Sequence, residues 1–247
     1  MLMVLVMVMM LATSQAAPVG DPVPRLATGR LAVGARLEGA SQWLQVEGCE
    51  ETADACDGVW RRSGIVGVGR VTLLEGLGLD VEVGRLTDRI QQAGYSGQGL
   101  MWALGARGGV PLSGSGWWLG GVARYEAGLA DNDQVGEDLA ESRYSIGTAS
   151  GLLVWSPLQD AGFSCWVGGQ GAWRWSHTIT PLGVDEDNQP ILEVQTSAGL
   201  PVAAVAGLSI ISEPLGAPWQ PAWRIGIELD GTVGQTNLVS AQALVRF

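Results

Sequence analysis

The chain has 247 residues, its 14 basic residues are all Arg, and its formal net charge at pH 7 is −11. Such an acidic chain lacks the basic surface that a nucleic-acid-binding protein needs. Although 47% of the residues are hydrophobic, no run after the first segment approaches the ~18 apolar residues of a membrane-spanning helix. The length suits a single domain.

The first segment is short and apolar and runs from Met1 to Leu11. Ser14 and Ala16 then supply small residues at the −3 and −1 positions of a cleavage site. This pattern predicts a secretory signal peptide over residues 1–16, although no Lys or Arg precedes the apolar stretch. Residues 17–247 then form one domain, in which residues 17–25 are a short periplasmic segment before the first strand.

Three cysteines remain in the exported part of the chain. Cys49 and Cys56 lie close together in a polar stretch, so in an oxidising compartment we expect them to form a local disulfide. Cys165 lies in an apolar alternating pattern and is interpreted as a buried or outward-facing structural thiol rather than a reactive one.

Alternation of apolar and polar residues is the dominant pattern beyond the leader. Leu77, Leu79, Val81 and Val83, for example, alternate with Gly78, Asp80, Glu82 and Gly84. A period of two is typical of β-strands with one apolar face. The pattern predicts ten strands, near 26–38, 60–72, 77–86, 97–109, 117–128, 143–155, 163–177, 191–210, 221–230 and 236–247.

The strands and their connections favour a membrane barrel over a soluble sandwich. Several alternating runs reach the ~9–11 residues that a tilted membrane strand needs. Mostly short connections also alternate with mostly longer, polar ones, as in outer-membrane barrels. We therefore predict an all-β, antiparallel, up-and-down transmembrane β-barrel. Ten strands place both termini on the periplasmic side, and eight or twelve remain alternatives.

The longer connections carry most of the negative charge. Their acidic residues are Glu47, Glu50, Glu51, Asp54, Asp57, Asp88, Asp131, Asp133, Glu137, Asp138, Glu141, Asp185, Glu186 and Asp187. Carboxylates are suitable ligands for divalent cations, and the densest candidate group is Glu47, Glu50, Glu51, Asp54 and Asp57. The alternative, which we favour, is an acidic surface that is simply solvated.

The last strand ends in an aromatic residue, Phe247. Val245, Ala243, Ala241 and Val239 are apolar on the same face, and Arg246, Gln242 and Ser240 lie on the other. This segment resembles the C-terminal strand signature of bacterial outer-membrane proteins. The resemblance implies an outer-membrane location and, as partners, the membrane lipid and the barrel-assembly machinery, with Phe247 and Val245 guiding insertion.

Aromatic residues on the outward parity fit the interfacial girdles of such barrels. The expected members are Trp102, Trp117, Tyr125, Tyr144, Phe163, Trp173, Trp175 and Trp223.

His177 is the one histidine and the one candidate catalytic residue. Outer-membrane proteases and lipid A deacylases carry a catalytic His near the outer rim. Here no Asp stands two residues before His177 and no Ser two residues after it. We therefore expect an ordinary polar residue and no enzyme activity, with a lipid- or peptide-hydrolysing enzyme as the alternative.

The inward faces of the strands carry charges of both signs. Unpaired charges in a low-dielectric lumen are costly, so we expect ion-pair networks there. The predicted members are Arg36, Arg70, Asp80, Glu82, Arg107, Arg124, Glu126, Arg174, Arg224, Glu228 and Arg246, together with Glu38, Glu193 and Asp230.

Such a network fits either a selective channel or a polar core that fills the barrel, and we favour the filled barrel because the interior is narrow. No motif for a cofactor or a metal is recognisable. The sequence therefore predicts an outer-membrane barrel with a structural, surface-interacting or weakly pore-forming role. A secreted soluble β-sandwich or lectin-like protein is the remaining alternative.

Overall fold

The computed structural model describes residues 17–23, 31–45, 57–90, 95–112, 116–132, 141–157, 162–179, 202–212, 215, 223–234 and 236–247. Ten strands pair with their neighbours in chain order and close into one antiparallel barrel. They are β1 (Leu31–Gln45), β2 (Asp57–Leu74), β3 (Leu77–Ile90), β4 (Tyr95–Pro111), β5 (Trp117–Asn132), β6 (Glu141–Trp155), β7 (Gly162–Ile179), β8 (Val202–Ile211), β9 (Arg224–Val233) and β10 (Thr236–Arg246). The predicted ten-stranded barrel is confirmed, and a two-layer sandwich is not the fold.

The barrel closes between its first and last strands. β1 and β10 pair antiparallel from Ala32 opposite Arg246 to Gln42 opposite Thr236. At the end of this seam the Phe247 N–H donates to the Leu31 carbonyl oxygen at 2.8 Å. We call the end of the barrel where β1 begins the lower end, and the opposite end the upper end.

The two faces of the sheet have opposite polarity, as the alternation predicted. Large apolar side chains point outward, and Leu100 and Val239 are both 69% exposed. Charged side chains point inward, and Glu126 is 0% exposed. This is the reverse of a soluble protein, in which apolar side chains are inside and charged ones are rarely fully buried.

Several strands extend further toward the upper end than predicted. β3 reaches Ile90 and β5 reaches Asn132, beyond their predicted ends at residues 86 and 128. Main-chain pairing continues past the apolar stretch, because strand hydrogen bonds do not require apolar side chains. The loop assignment of Asp88 is therefore wrong: it lies in β3 and is buried. Asp57, Asp131 and Glu141 also belong to strands.

The turn between β2 and β3 consists of Glu75 and Gly76. Gly76 has a φ of +78°, which glycine adopts without the strain of a Cβ atom. Its carbonyl oxygen accepts a hydrogen bond of 2.9 Å from the Gly109 N–H, which joins the turn to the neighbouring strand. No helix among the described residues is long and apolar enough to cross a membrane.

Tyr144 points into the barrel rather than outward as predicted. It is 4% exposed, and Ile146, Leu152 and Val154 share its inward face. The inward face of β6 is thus largely apolar, so polarity does not distinguish the two faces of this strand. The prediction of Tyr144 as a girdle residue is therefore wrong.

Candidate functional site

Six charged side chains form a closed cycle of alternating sign in the lumen, which we call the arginine–glutamate ring. Each member lies within ion-pair distance of two others of opposite charge, and all six are buried. The successive N···O distances are Arg36–Glu38 2.9 Å, Glu38–Arg62 3.4 Å, Arg62–Glu126 2.7 Å, Glu126–Arg124 2.7 Å, Arg124–Glu82 2.5 Å and Glu82–Arg36 2.6 Å. The cycle is electrically neutral.

Small residues on β4 make room for the ring. Ala103 lies between Glu82 and Glu126 in register. Gly105 lies between Asp80 and Arg124. Charged side chains from β3 and β5 can therefore meet across β4, which contributes no charge at this level. The contrast between large charged residues and small ones is typical of interiors that side chains fill.

Tyr144 and Trp60 complete the surroundings of Arg62. The Tyr144 hydroxyl donates to Glu126 Oε1 at 3.0 Å. The guanidinium carbon of Arg62 lies 4.9 Å from the centroid of the Tyr144 ring and 5.5 Å from that of Trp60. These distances are in the range of cation–π attraction. The side chains of Tyr144 and Trp60 thus hold Arg62 in place within the arginine–glutamate ring.

Gly128 leaves the space that Tyr144 occupies, and this arrangement gives a testable prediction. A Cβ atom at Gly128 would lie 2.3 Å from Tyr144 Cε1, whereas one at Gly151 would meet nothing within 4 Å. We expect Gly128→Ala to lower the free energy of unfolding by about 1–3 kcal/mol through overpacking. Urea unfolding of the purified protein measures this, with Gly151→Ala as the matched control. Equal stability of the two variants would contradict the prediction.

A second charged group lies nearer the lower end. Glu228 Oε1 lies 2.6 Å from Arg70 Nη1 and 2.8 Å from Arg246 Nη2. Asp80 Oδ1 lies 3.6 Å from Arg70 Nε, and both Asp80 oxygens accept hydrogen bonds from Arg107. This group includes the remaining predicted lumen charges of β2, β3, β4 and β10.

Residues 17–23, which we call the lumenal segment, lie inside the barrel. The sequence predicts that residues 17–25 lie on the periplasmic side, whereas the structure buries Ala17, Val19, Asp21 and Val23 within the lumen, each at most 2% exposed. Residues 24 and 25 lie outside the described residues. The segment is short and rich in proline, without the alternation that marks a strand. Nothing in its own sequence indicates burial, because its partners lie far away along the chain.

Every main-chain N–H of the lumenal segment donates a hydrogen bond to a side chain. Pro18 and Pro22 have no N–H, so no donor is left over. The five bonds are Ala17 to Gln170 Oε1 at 2.9 Å, Val19 and Gly20 to Asp230 Oδ2 at 2.5 and 3.2 Å, Asp21 to Glu228 Oε2 at 2.9 Å, and Val23 to the Asp21 side chain at 3.1 Å.

Main-chain carbonyls of the segment are bound as well. Gln170 Nε2 donates to the Ala17 oxygen at 2.9 Å, so one side-chain amide binds both polar atoms of Ala17. Arg107 donates to the carbonyl oxygens of Asp21 and Val19. Side chains of the lumen wall therefore bind chiefly the main-chain atoms of this segment.

Apolar contacts hold the other side of the segment. Val19 and Val23 pack in one cluster with Val122, Leu152, Val154, Trp166 and Val205. Gly120 lets Pro22 approach the wall, since a Cβ atom there would lie 3.0 Å from Pro22 Cγ. The apolar inward face of β6 is thus explained by the segment that it contacts.

Some predicted lumen residues are not in these groups. Arg224 is half-buried and forms no ion pair within the described part of the chain. For Arg174 only the main chain is described, opposite Gly147, and Glu193 lies outside the described residues. Asp230 faces the lumen but binds main-chain N–H groups and Ser240 rather than an arginine.

The other predicted sites fall largely outside the described residues. These include Cys49, Cys56, Glu47, Glu50, Glu51 and Asp54, and only the main chain of Asp57 is described. Cys165 is a half-buried free thiol. Among the described residues no group of three or more His, Cys, Asp or Glu could hold a metal ion. His177 lies opposite Tyr144 in register, and its catalytic role stays a prediction.

Sequence reasoning missed two participants. Arg62 is in the ring, and its shared parity with Arg70 on β2 could have identified it. Gln170 binds Ala17, although its inward parity alone says nothing about a peptide partner.

Comparisons with known proteins add little to this description. No family model matches the chain, and no curated protein matches its sequence. Among solved structures, the translocator domain of the autotransporter NalP from Neisseria meningitidis aligns with a TM-score of 0.43 and 12% identity, covering 89% of each chain. A likeness at this level carries no argument about function, and the fold stands on the strand pairing itself.

Proposed function

We propose that this chain is an outer-membrane β-barrel with a closed lumen, which serves as a stable scaffold for its surface loops rather than as an open pore. The observation that supports it best is the inverted polarity of the closed sheet. A belt of exposed apolar side chains surrounds an interior of buried charges. Lipid is the solvent in which both faces of such a sheet are satisfied.

The filled lumen supports the structural role over the pore-forming one. The arginine–glutamate ring joins side chains from β1, β2, β3 and β5. The lumenal segment binds side chains from β7 and β9. Together they place partners against most of the barrel wall. Barrels of about eight strands are filled by side chains alone, and in this wider barrel a stretch of main chain fills additional space.

The assembly route and location follow from the same proposal. The chain is exported, its leader is removed after Ala16, and the barrel-assembly machinery inserts it into the outer membrane with Phe247 directly after the final strand. The acidic connections at the upper end then face the outside, where they are available to surface partners such as divalent cations.

Reconstitution tests the proposal. The protein purified from membrane fractions and inserted into lipid vesicles should resist protease and migrate faster in gels when unheated than when heated. In planar bilayers the inserted protein should pass no stepwise current. A product recovered in the soluble fraction would contradict the membrane assignment, whereas steady large currents would contradict the closed lumen.

A further inference from the structure

The lumenal segment lies in a groove that the barrel wall builds for it. The groove is lined by Gln170, Asp230, Glu228, Arg107, Ser164 and Ser209, and we call it the lumenal groove. Its wall residues come from β4, β7, β8 and β9. None of these four strands contributes a side chain to the arginine–glutamate ring, so the groove and the ring are built from different strands.

We propose that the lumenal groove is a peptide-binding site that recognises an extended peptide through its main chain, and that residues 17–23 occupy it as a displaceable plug. The proposal rests on the membrane barrel proposed above and adds a ligand class to its lumen. In the described structure the segment is held by hydrogen bonds and apolar packing, with no covalent link to the groove.

Backbone recognition is the first argument. The groove supplies acceptors to four successive donors of the peptide, those of Ala17, Val19, Gly20 and Asp21. Three of these bonds end on carboxylates, and hydrogen bonds to charged acceptors are about twice as strong as neutral ones. Such a row of acceptors fits any peptide that presents its N–H groups in the same geometry.

Asp230 gives the second argument, because its buried carboxylate needs a partner that donates several hydrogen bonds. It is buried and forms no ion pair within the described part of the chain. Its oxygens accept from the Val19 and Gly20 N–H groups and from the Ser240 hydroxyl. Without the peptide, only Ser240 among these donors would remain, and a buried carboxylate with so little compensation is costly. An empty groove therefore has to admit water or another peptide.

Side-chain selectivity arises at Gly20. Its φ is +64°, and a Cβ atom there would lie 2.5 Å from Arg70 Nη2 and 2.8 Å from Glu228 Oε2. A residue with a side chain at this position is therefore disfavoured by the backbone conformation, and its Cβ atom would also have to displace the ends of the Arg70 and Glu228 side chains, which form an ion pair. Val19 and Val23 occupy the apolar side of the groove. Asp21, which follows Gly20, accepts hydrogen bonds from the hydroxyls of Ser164 and Ser209. The site thus prefers a peptide in which a glycine lies between a small apolar residue and an aspartate.

Single-channel recording tests the plug. Full-length protein and a variant lacking residues 18–23 are inserted into vesicles, shown to be folded by protease resistance, and fused to planar bilayers. We expect the full chain to be silent and the deletion variant to open in current steps. The full-length Gly20→Leu variant keeps the chain length but disfavours binding of the segment in the groove, and it should open as well. The control variant Gly39→Ala should stay silent, since a Cβ atom at Gly39 meets nothing within 4 Å.

A synthetic heptapeptide with the sequence of residues 17–23 tests the groove. Added to the open deletion variant, it should abolish the current steps, and the same peptide with Leu in place of Gly20 should not. Where the deletion variant does not fold, the peptide is applied to Gly20→Leu.

The unfavourable outcomes are distinct. Folded variants that remain silent would overturn the plug, because the ring alone would then close the lumen. Open variants that ignore the heptapeptide would overturn the peptide site. Wild-type protein that never inserts into vesicles would instead overturn the proposed membrane barrel, and the plug with it.

Discussion

Replacing Glu126 by glutamine is expected to lower the free energy of unfolding by about 3–5 kcal/mol, the usual cost of removing one partner from a buried ion pair. Glu126 is fully buried and lies 2.7 Å from both Arg62 and Arg124. Glutamine keeps the size of the side chain and removes the charge. Two arginines then remain buried with one fewer carboxylate, and the neutral cycle gains a net positive charge.

Equilibrium unfolding in urea, followed by tryptophan fluorescence in vesicles, measures this loss. The matched control is Glu75→Gln, which makes the same chemical change in the exposed turn between β2 and β3. We expect the control to change stability by less than about 0.5 kcal/mol. A Glu126→Gln variant as stable as Glu75→Gln would show that the ring contributes nothing to the fold.

A double variant tests whether Arg62 and Glu126 stabilise the fold through a direct interaction with each other. Arg62→Gln combined with Glu126→Gln removes one charge of each sign and leaves the cycle neutral. The two changes should therefore cost less together than the sum of their single effects, with a coupling of about 0.5–3 kcal/mol. Additive costs would contradict a direct interaction between Arg62 and Glu126.

The barrel itself could be predicted from the sequence because its physical origin is local. Each strand must show one face to the outside and the other to the lumen, so period-two alternation records the fold directly, as at Val81 and Val83 against Asp80 and Glu82. Strand ends were less accurate, because main-chain pairing continues beyond the apolar belt. The outward prediction of Tyr144 is wrong because Leu152 and Val154, on the same face of β6, line an apolar part of the lumen, so polarity does not identify the inward face of this strand.

The sequence predicts which charged residues face the lumen better than it predicts which of them form ion pairs with one another. Parity alone places Arg36 and Glu82 inside, but their pairing depends on the side-by-side order of β1, β2 and β3 and on small residues such as Ala103. Arg62 directly follows Arg61, so the dipeptide places one arginine on each face of β2. The alternation pattern therefore does not show which of the two faces the lumen. Closure of the cycle is a three-dimensional property that no sequence spacing records.

The lumenal segment could not be predicted at all. Its donors are satisfied by Asp230 and Glu228, which are more than 200 residues away along the chain. A proline-rich stretch before the first strand reads as a linker, because neither its composition nor its period distinguishes a buried extended peptide from a solvated one. Only the acceptor geometry of the barrel wall identifies its place.

A charge placed on the outer face gives the most direct test of whether lipid surrounds the barrel. Val83 is 61% exposed and lies at the middle of β3, whereas Leu77, 39% exposed, begins that strand at the lower end. Both side chains point outward. If lipid surrounds the barrel, Val83→Arg lies near the bilayer midplane and should cost about 2–4 kcal/mol, while Leu77→Arg near the interface should cost about 0–1 kcal/mol.

Urea unfolding in vesicles of defined thickness measures both variants, and their difference is the informative quantity. In water an arginine on an exposed strand position changes stability by only about 0.5 kcal/mol, so the depth dependence comes from the lipid. Thinner bilayers should reduce the cost at Val83, because the charge reaches the headgroups more easily. Equal, small costs at both positions would mean that the apolar belt faces water, and the outer-membrane assignment would be wrong.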